Sequence, residues 1–202
     1  MTLKLPPLAS LLLAALFIYS IGAQAQQVPT ASPLPQIQQL QDSTIRLAKA
    51  KDWGSYLHVQ TKILSLYQRS GDFSKGIAYG EKILQKINKK ASRFKSSSWS
   101  FYQALASLYT KSGKVDRAIA LHQEQLTLLS SYPESADPWH RVNTYNQLGS
   151  HYLSQQQAST AIAYLKKSES WLRHYLEAPT FTANTSQDIE TITHTYALLS
   201  KC

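Results

Sequence analysis

Cysteine is almost missing from this sequence, the single one being its last residue, Cys202. No internal disulfide and no cysteine-based metal site can form. The terminal thiol is left as a frayed bystander or as a link between two chains. Glycine and proline are scarce too, seven and eight in 202 residues, with the prolines gathered towards the N-terminus. That scarcity argues against a turn-rich β-sandwich and for helices. Carboxylates are outnumbered, 12 against 21 lysines and arginines, and stand singly. No G-x-S-x-G, glycine-rich phosphate loop or nucleophile–base constellation is present, so no catalytic residue is assigned and the chain reads as non-enzymatic.

Metal chemistry is equally unsupported. H-E-x-x-H is missing among the six histidines, His58, His122, His140, His151, His174 and His194. His140 and His151 fall on one face of a helix but about 16 Å apart, too far to share an ion. No metal and no cofactor is expected.

What is present is ample apolar material. A hydrophobic content of 43% with 10% aromatics is enough for a core and excludes wholesale disorder. The net charge of +9 favours solubility and attraction to anionic surfaces, and says nothing about fold. Residues 1–25 have the layout of a secretory signal: Lys4 as the positive region, Leu8 to Ile18 as the apolar stretch, and Ala23-Gln24-Ala25 as the cleavage site. The apolar stretch is short of the roughly 20 residues that span a bilayer. No cysteine near the cleavage site could take a lipid. Export to a periplasmic or extracellular compartment is the expectation. Residues 26–36 then read as a flexible linker with no helical period.

From there on apolar residues recur at spacings of three, four and seven, as amphipathic helices require. Ile37, Leu40, Ile45 and Ala48 mark a capping helix over 37–51, opening after Pro35. Tyr56, Ile63, Leu64 and Tyr67, then Phe73, Ile77, Leu84 and Ile87, mark a helix pair over 52–90. Trp99, Tyr102, Leu105, Ala106 and Tyr109, then Val115, Ala118, Ile119 and Leu126, mark a second over 95–131. Val142, Tyr145, Leu148, Gly149 and Tyr152, then Ala158, Ala161, Ile162, Leu165 and Leu172, mark a third over 138–177. A last helix within 186–202 carries Ile189, Ile192, Tyr196 and Leu199. Gly71 and Gly113 fall at the turns, where positive φ ends a helix; Gln156 stands at the third.

These turns lie 42 and then 43 residues apart, so one unit recurs three times as in a solenoid. With Tyr145, Leu148-Gly149, Tyr152 and Ala161 in the third copy, and Tyr102, Leu105-Ala106, Tyr109 and Ala118 in the second, the pattern resembles the tetratricopeptide repeat. The first copy has Ile63-Leu64, Tyr67 and Gly76, with Gln60 at the early bulky position. The period exceeds the family's usual 34 residues. The resemblance implies an all-α fold: a short right-handed α-solenoid of antiparallel helix pairs, about three repeats plus capping helices. It also implies that Gly76, Ala118 and Ala161, with Ala106 and Gly149 opposite, sit where helices approach closely.

In that family the first helices line a concave groove, which here carries Thr61, Ser65, Gln68, Gln103, Ser107, Thr110, Asn146, Ser150 and Leu153. This neutral polar set suits an extended peptide or a protein partner. The family's Lys/Asn/Arg clamp for a C-terminal carboxylate is not reproduced. A basic run, Lys82, Lys86, Lys89, Lys90, Arg93 and Lys95, is the candidate for contact with an anionic surface such as a membrane. No nucleic acid is expected, because no aromatic-studded basic stripe accompanies the run. The uncovered final half-repeat offers a route to a homo-oligomer. Asn184-Thr185-Ser186 fits an N-glycosylation acceptor.

Overall fold

The computed structural model describes residues 33–89, 98–131, 138–176 and 186–202. Residues 1–32, 90–97, 132–137 and 177–185, and with them the expected signal, most of the expected linker, Lys90, Arg93, Lys95 and Asn184, lie outside the described residues. Among the described residues there are eight helices and no strand. They are α1 Leu34–Lys49, α2 Trp53–Arg69, α3 Phe73–Lys89, α4 Trp99–Lys111, α5 Val115–Ser131, α6 Pro138–Ser154, α7 Ala158–Leu176 and α8 Ser186–Leu199. None is long and apolar enough to cross a membrane.

Capping and turn chemistry explain several of the boundaries. The Asp52 carboxylate accepts the Ser55 amide at 3.1 Å and caps α2. Hydrogen bonds from Ser55 hold that carboxyl below the usual carboxylate range. Gly71, at φ 75°, joins α2 to α3, and Gly113, at φ 78°, joins α4 to α5. Gln156 takes the same left-handed conformation, φ 60°, between α6 and α7, where no glycine is available. The third turn closes like the second all the same, with Gln157 N donating to Tyr152 O as Lys114 N does to Tyr109 O, both at 2.9 Å.

Pairs α2–α3, α4–α5 and α6–α7 stack in sequence, with α1 on α2 and α8 on α6 and α7. The core runs along the seams: Leu57, Leu64, Ile83, Ile87, Phe101, Leu105 and Leu108 form one continuous cluster. The small residues act as the resemblance implied. A Cβ on Gly76 would lie 2.8 Å from Tyr67 Cβ, and one on Gly149 2.5 Å from Leu165 Cδ2, so neither position has room for a side chain. Ala118 and Ala161 are fully buried. Tyrosines tie the pairs together at their rims. Tyr102 Oη donates to Asn88 Oδ1 at 3.1 Å, and Tyr109 Oη to Glu81 Oε1 at 2.5 Å. Burial, with Glu124 nearby, pushes the Tyr102 phenol up.

The structure corrects three details of the sequence reading. Helix α1 opens at Leu34, ahead of Pro35, and turns Ile45 outward at 57% exposure. Its buried face runs through Ile37 and Thr44, the Thr44 hydroxyl donating to Gln41 O at 2.7 Å. On α8 the buried residues are Thr191, Thr195 and Leu198, while Tyr196 is 47% exposed. Thr195 donates its hydroxyl back to Thr191 O at 2.9 Å, so this threonine face can lie against a neighbour, which displaces the apolar stripe that Ile192, Tyr196 and Leu199 suggested.

Candidate functional site

The nine groove residues form three stripes, each with steps of four and three, and hence one face on each of α2, α4 and α6. Seven are half-buried: Thr61, Ser65, Gln68, Gln103, Ser107, Ser150 and Leu153. Thr110 is exposed. The hydroxyls of Thr61, Ser65 and Thr110 donate to Leu57 O, Thr61 O and Ala106 O at 2.9, 3.1 and 3.0 Å. Each hydroxyl proton is thereby engaged, which leaves the oxygen to serve as an acceptor for a ligand's N–H.

The first member of the later stripes is spent on the scaffold. Asn146 is 1% exposed, and its Nδ2 donates to Thr195 Oγ1 of α8 at 2.8 Å. It belongs to the packing of the last helix and not to an open groove, a correction to its assignment. The cause is α8, which settles on the end of α6. Gln103 is partly drawn inward in the same way, its Nε2 donating to Gln125 Oε1 at 3.4 Å. What stays open is a narrower set: Ser65 and Gln68, Ser107 and Thr110, Ser150 and Leu153.

Of the basic run, Lys82, Lys86 and Lys89 are exposed along α3, the last two in its final turn beside the negative end of the helix dipole. Glu81 does not neutralise them, because it holds the Tyr109 hydroxyl and lies 3.8 Å from Arg117 Nη2. No cluster of three or more metal-ligating side chains occurs among the described residues. Cys202 is exposed.

Sequence reasoning missed a buried polar layer where α4, α5 and α6 meet. Gln125, 1% exposed, is its hub: Oε1 accepts from Gln103 Nε2 and, at 3.3 Å, from Thr144 Oγ1, and Nε2 donates to Trp99 O at 3.4 Å. His122 and His151 stack beside it, and His140 stacks on Trp99 with ring centroids 4.4 Å apart. His140 and His151, the pair considered along one helix, thus have separate partners on other helices. Superposing the copies at the repeat spacing would have exposed the signal. His122 falls at the position of Gly80 and Leu165, and His151 at that of Leu66 and Leu108.

Comparison with known proteins agrees with the fold. Residues 102–134, which take in most of α4 and all of α5, match the tetratricopeptide repeat family. No curated protein matches the chain. Two solved structures share the fold, both of nearly identical TPR-like repeats from a protein described as a kinesin light chain of Podosopora anserina. One of them is 17% identical, with 73% of this chain and 68% of that chain covered and a TM-score of 0.54. The other is also 17% identical, with 84% and 82% covered and a TM-score of 0.53. The chain carries a tetratricopeptide repeat in an all-α solenoid of TPR-like helix pairs.

Proposed function

We propose that this tetratricopeptide-repeat array is an exported scaffold that holds an extended protein or peptide segment along its first helices. Repeats of this kind generally mediate protein–protein interaction and are typically non-enzymatic. The observation that carries the reading is the recurrence of Ser65, Ser107 and Ser150 at 42 and then 43 residues, each half-buried on a first helix. Small neutral polar side chains repeated along a surface suit the hydrogen-bonding groups of an extended backbone, and they do not demand a partner of one charge. Gln68 adds an amide that both donates and accepts, and Leu153 an apolar contact at the far end.

Selection from a displayed random-peptide library on the mature chain tests the reading. Bound sequences should lose capture when Gln68, Ser107 and Ser150 are replaced by lysine with helicity unchanged; undiminished capture would move the site elsewhere. Export is tested by intact mass after expression in a secretion-competent host, where a mature chain starting at Gln26 is expected. A full-length mass would refute cleavage. A second reading draws on Tyr196, 47% exposed on α8, the last helix, which packs on the third pair: a second copy docks there. Light scattering of the wild type against Tyr196→Glu separates the two, because only self-association predicts a mass that the substitution halves.

A further inference from the structure

The junction between the second and third helix pairs differs in chemistry from the one before it. At the first junction Gly80 of α3 faces α4, where an added Cβ would lie 2.5 Å from Leu105 Cδ1, and Gly76 faces Leu108 in the same way at 3.0 Å. The repeat spacing carries Gly80 to His122 and Leu108 to His151. Where the first junction presses glycine onto leucine, the second buries two imidazoles. Their rings stack with centroids 5.4 Å and planes 22° apart, at 1% and 7% exposure. His151 Nε2 has no hydrogen-bond partner, and His122 Nδ1 meets Gln125 Oε1 at 3.4 Å. The backbones differ accordingly: α2 packs closely along α4, whereas α4 and α6 approach less closely and meet through side chains such as Trp99 on His140.

We propose that the α5–α6 junction is an acid-opened joint, in which protonation of the stacked His122–His151 pair parts the second helix pair from the third while the first junction stays closed. Charging the pair in place is opposed by its burial: the Gln125 amide oxygen at 3.4 Å from His122 Nδ1 is its one polar support, and the charged groups on the surrounding helices are engaged elsewhere or exposed. On α5, Glu124 accepts from Asn88 and Tyr102, Asp116 accepts from Gln155, and Arg117 lies over the Tyr109 ring near Glu81. From α4, Tyr109 donates to Glu81 and Lys111 is exposed. On α6, Arg141 donates to Leu129 O and covers Trp171, and His140, the remaining imidazole, lies on Trp99. On α7, Lys166 is exposed, Lys167 sits over Tyr164 and Glu169 pairs with Arg173. On α8, Glu190 and His194 are exposed. No carboxylate acts on either ring of the pair.

Burial holds His122 down to about 4, with the His151 ring adding to the effect, and burial lowers His151 too. Both are neutral at pH 7. An imidazole freed into water titrates near 6.5, so the open form binds the proton first and gains as pH falls from about 6.5 towards 4. For His122 alone the closed-to-open ratio drops about 30-fold between pH 8 and pH 5.

Hydrogen–deuterium exchange of the mature chain at pH 8 and pH 5, corrected for intrinsic rates, tests the joint. Protection across α5 and α6 should fall at least tenfold more than across α2 and α3. The difference should vanish in the His122→Leu/His151→Leu double variant. Equal loss over all helices, or a loss that survives the double substitution, would overturn the proposal. Should that variant fail to fold, imidazole NMR titration of the wild type decides. Depressed titrations accompanied by shifts in α5 and α6 amides support the joint, and titrations near 6.5 without them refute it.

Discussion

Replacing Gly149 by alanine isolates the feature that most tightly constrains the helix pairs. In an unobstructed helix interior this change stabilises by about 1 kcal/mol, because glycine forfeits more backbone entropy than alanine. Here the new methyl would lie 2.5 Å from Leu165 Cδ2 and 2.6 Å from Leu165 Cγ. Cγ is next to the backbone end of the side chain, and Leu165 is fully buried. It cannot swing aside, so α6 and α7 must separate. Overpacking of this kind costs about 1–3 kcal/mol and here falls in the upper part of that range. The net expectation is destabilisation by about 1–2 kcal/mol, or a Tm lower by about 2–8 °C for a chain of this size. Gly54→Ala is the reference, since the nearest atom to its added Cβ is Asp52 Oδ1 at 3.9 Å. Urea unfolding followed by helical circular dichroism measures both. Combining Gly149→Ala with Leu165→Val should recover part of the loss, giving a coupling energy of about 1 kcal/mol. A Gly149→Ala protein as stable as, or more stable than, the wild type would refute the close approach of α6 and α7.

Other substitutions probe the turns, the end cap and the polar layer. Gln156→Gly should stabilise by about 1 kcal/mol, since the wild-type side chain is held at φ 60° where glycine carries no steric penalty; denaturant unfolding that shows a loss would contradict that turn. Thr195→Val removes the partner of Asn146 Nδ2 inside the α6–α8 contact and should cost about 1–3 kcal/mol. Its effect should appear first as faster exchange of α8 amides; unchanged exchange there would contradict the contact. With His122 held at about 4 against an ordinary 6.5, stability is complete above about pH 6.5 and is lost as pH falls towards 4. This one residue accounts for about 3 kcal/mol of that loss, and His122→Leu should flatten the stability profile between pH 7 and pH 5.

The helices, two of the three turn residues and the close-contact residues were legible in the sequence because each leaves a periodic trace. Gly71 and Gly113 announce left-handed turns, and Gly76 and Gly149 stand at the same register as Ala118 and Ala106. Gln156 was harder to read, because its positive φ is imposed by the surrounding pair and is not favoured by the residue itself. Polar residues in buried roles were also hidden. Thr191 and Thr195 look like solvent-facing positions until Asn146 is found against them. His122 and His151 are 29 residues apart in the chain and meet only once α5 lies on α6. The candidate stripe was readable as a register, 65, 107 and 150, but its edge was not. Whether Asn146 faces a ligand or a helix depends on where α8 settles, and nothing local to Asn146 encodes that.

Photo-crosslinking in the native host tests the central claim most directly. A photoreactive residue is placed at Ser65, Ser107 or Ser150 on the first helices, or at Ala78, Ala120 or Ala163, exposed on the second helices at the same repeat spacing. The account predicts that one partner is trapped from all three first-helix positions and from none of the second-helix positions. Trapping from the second helices alone, or equally from both sets, would contradict it.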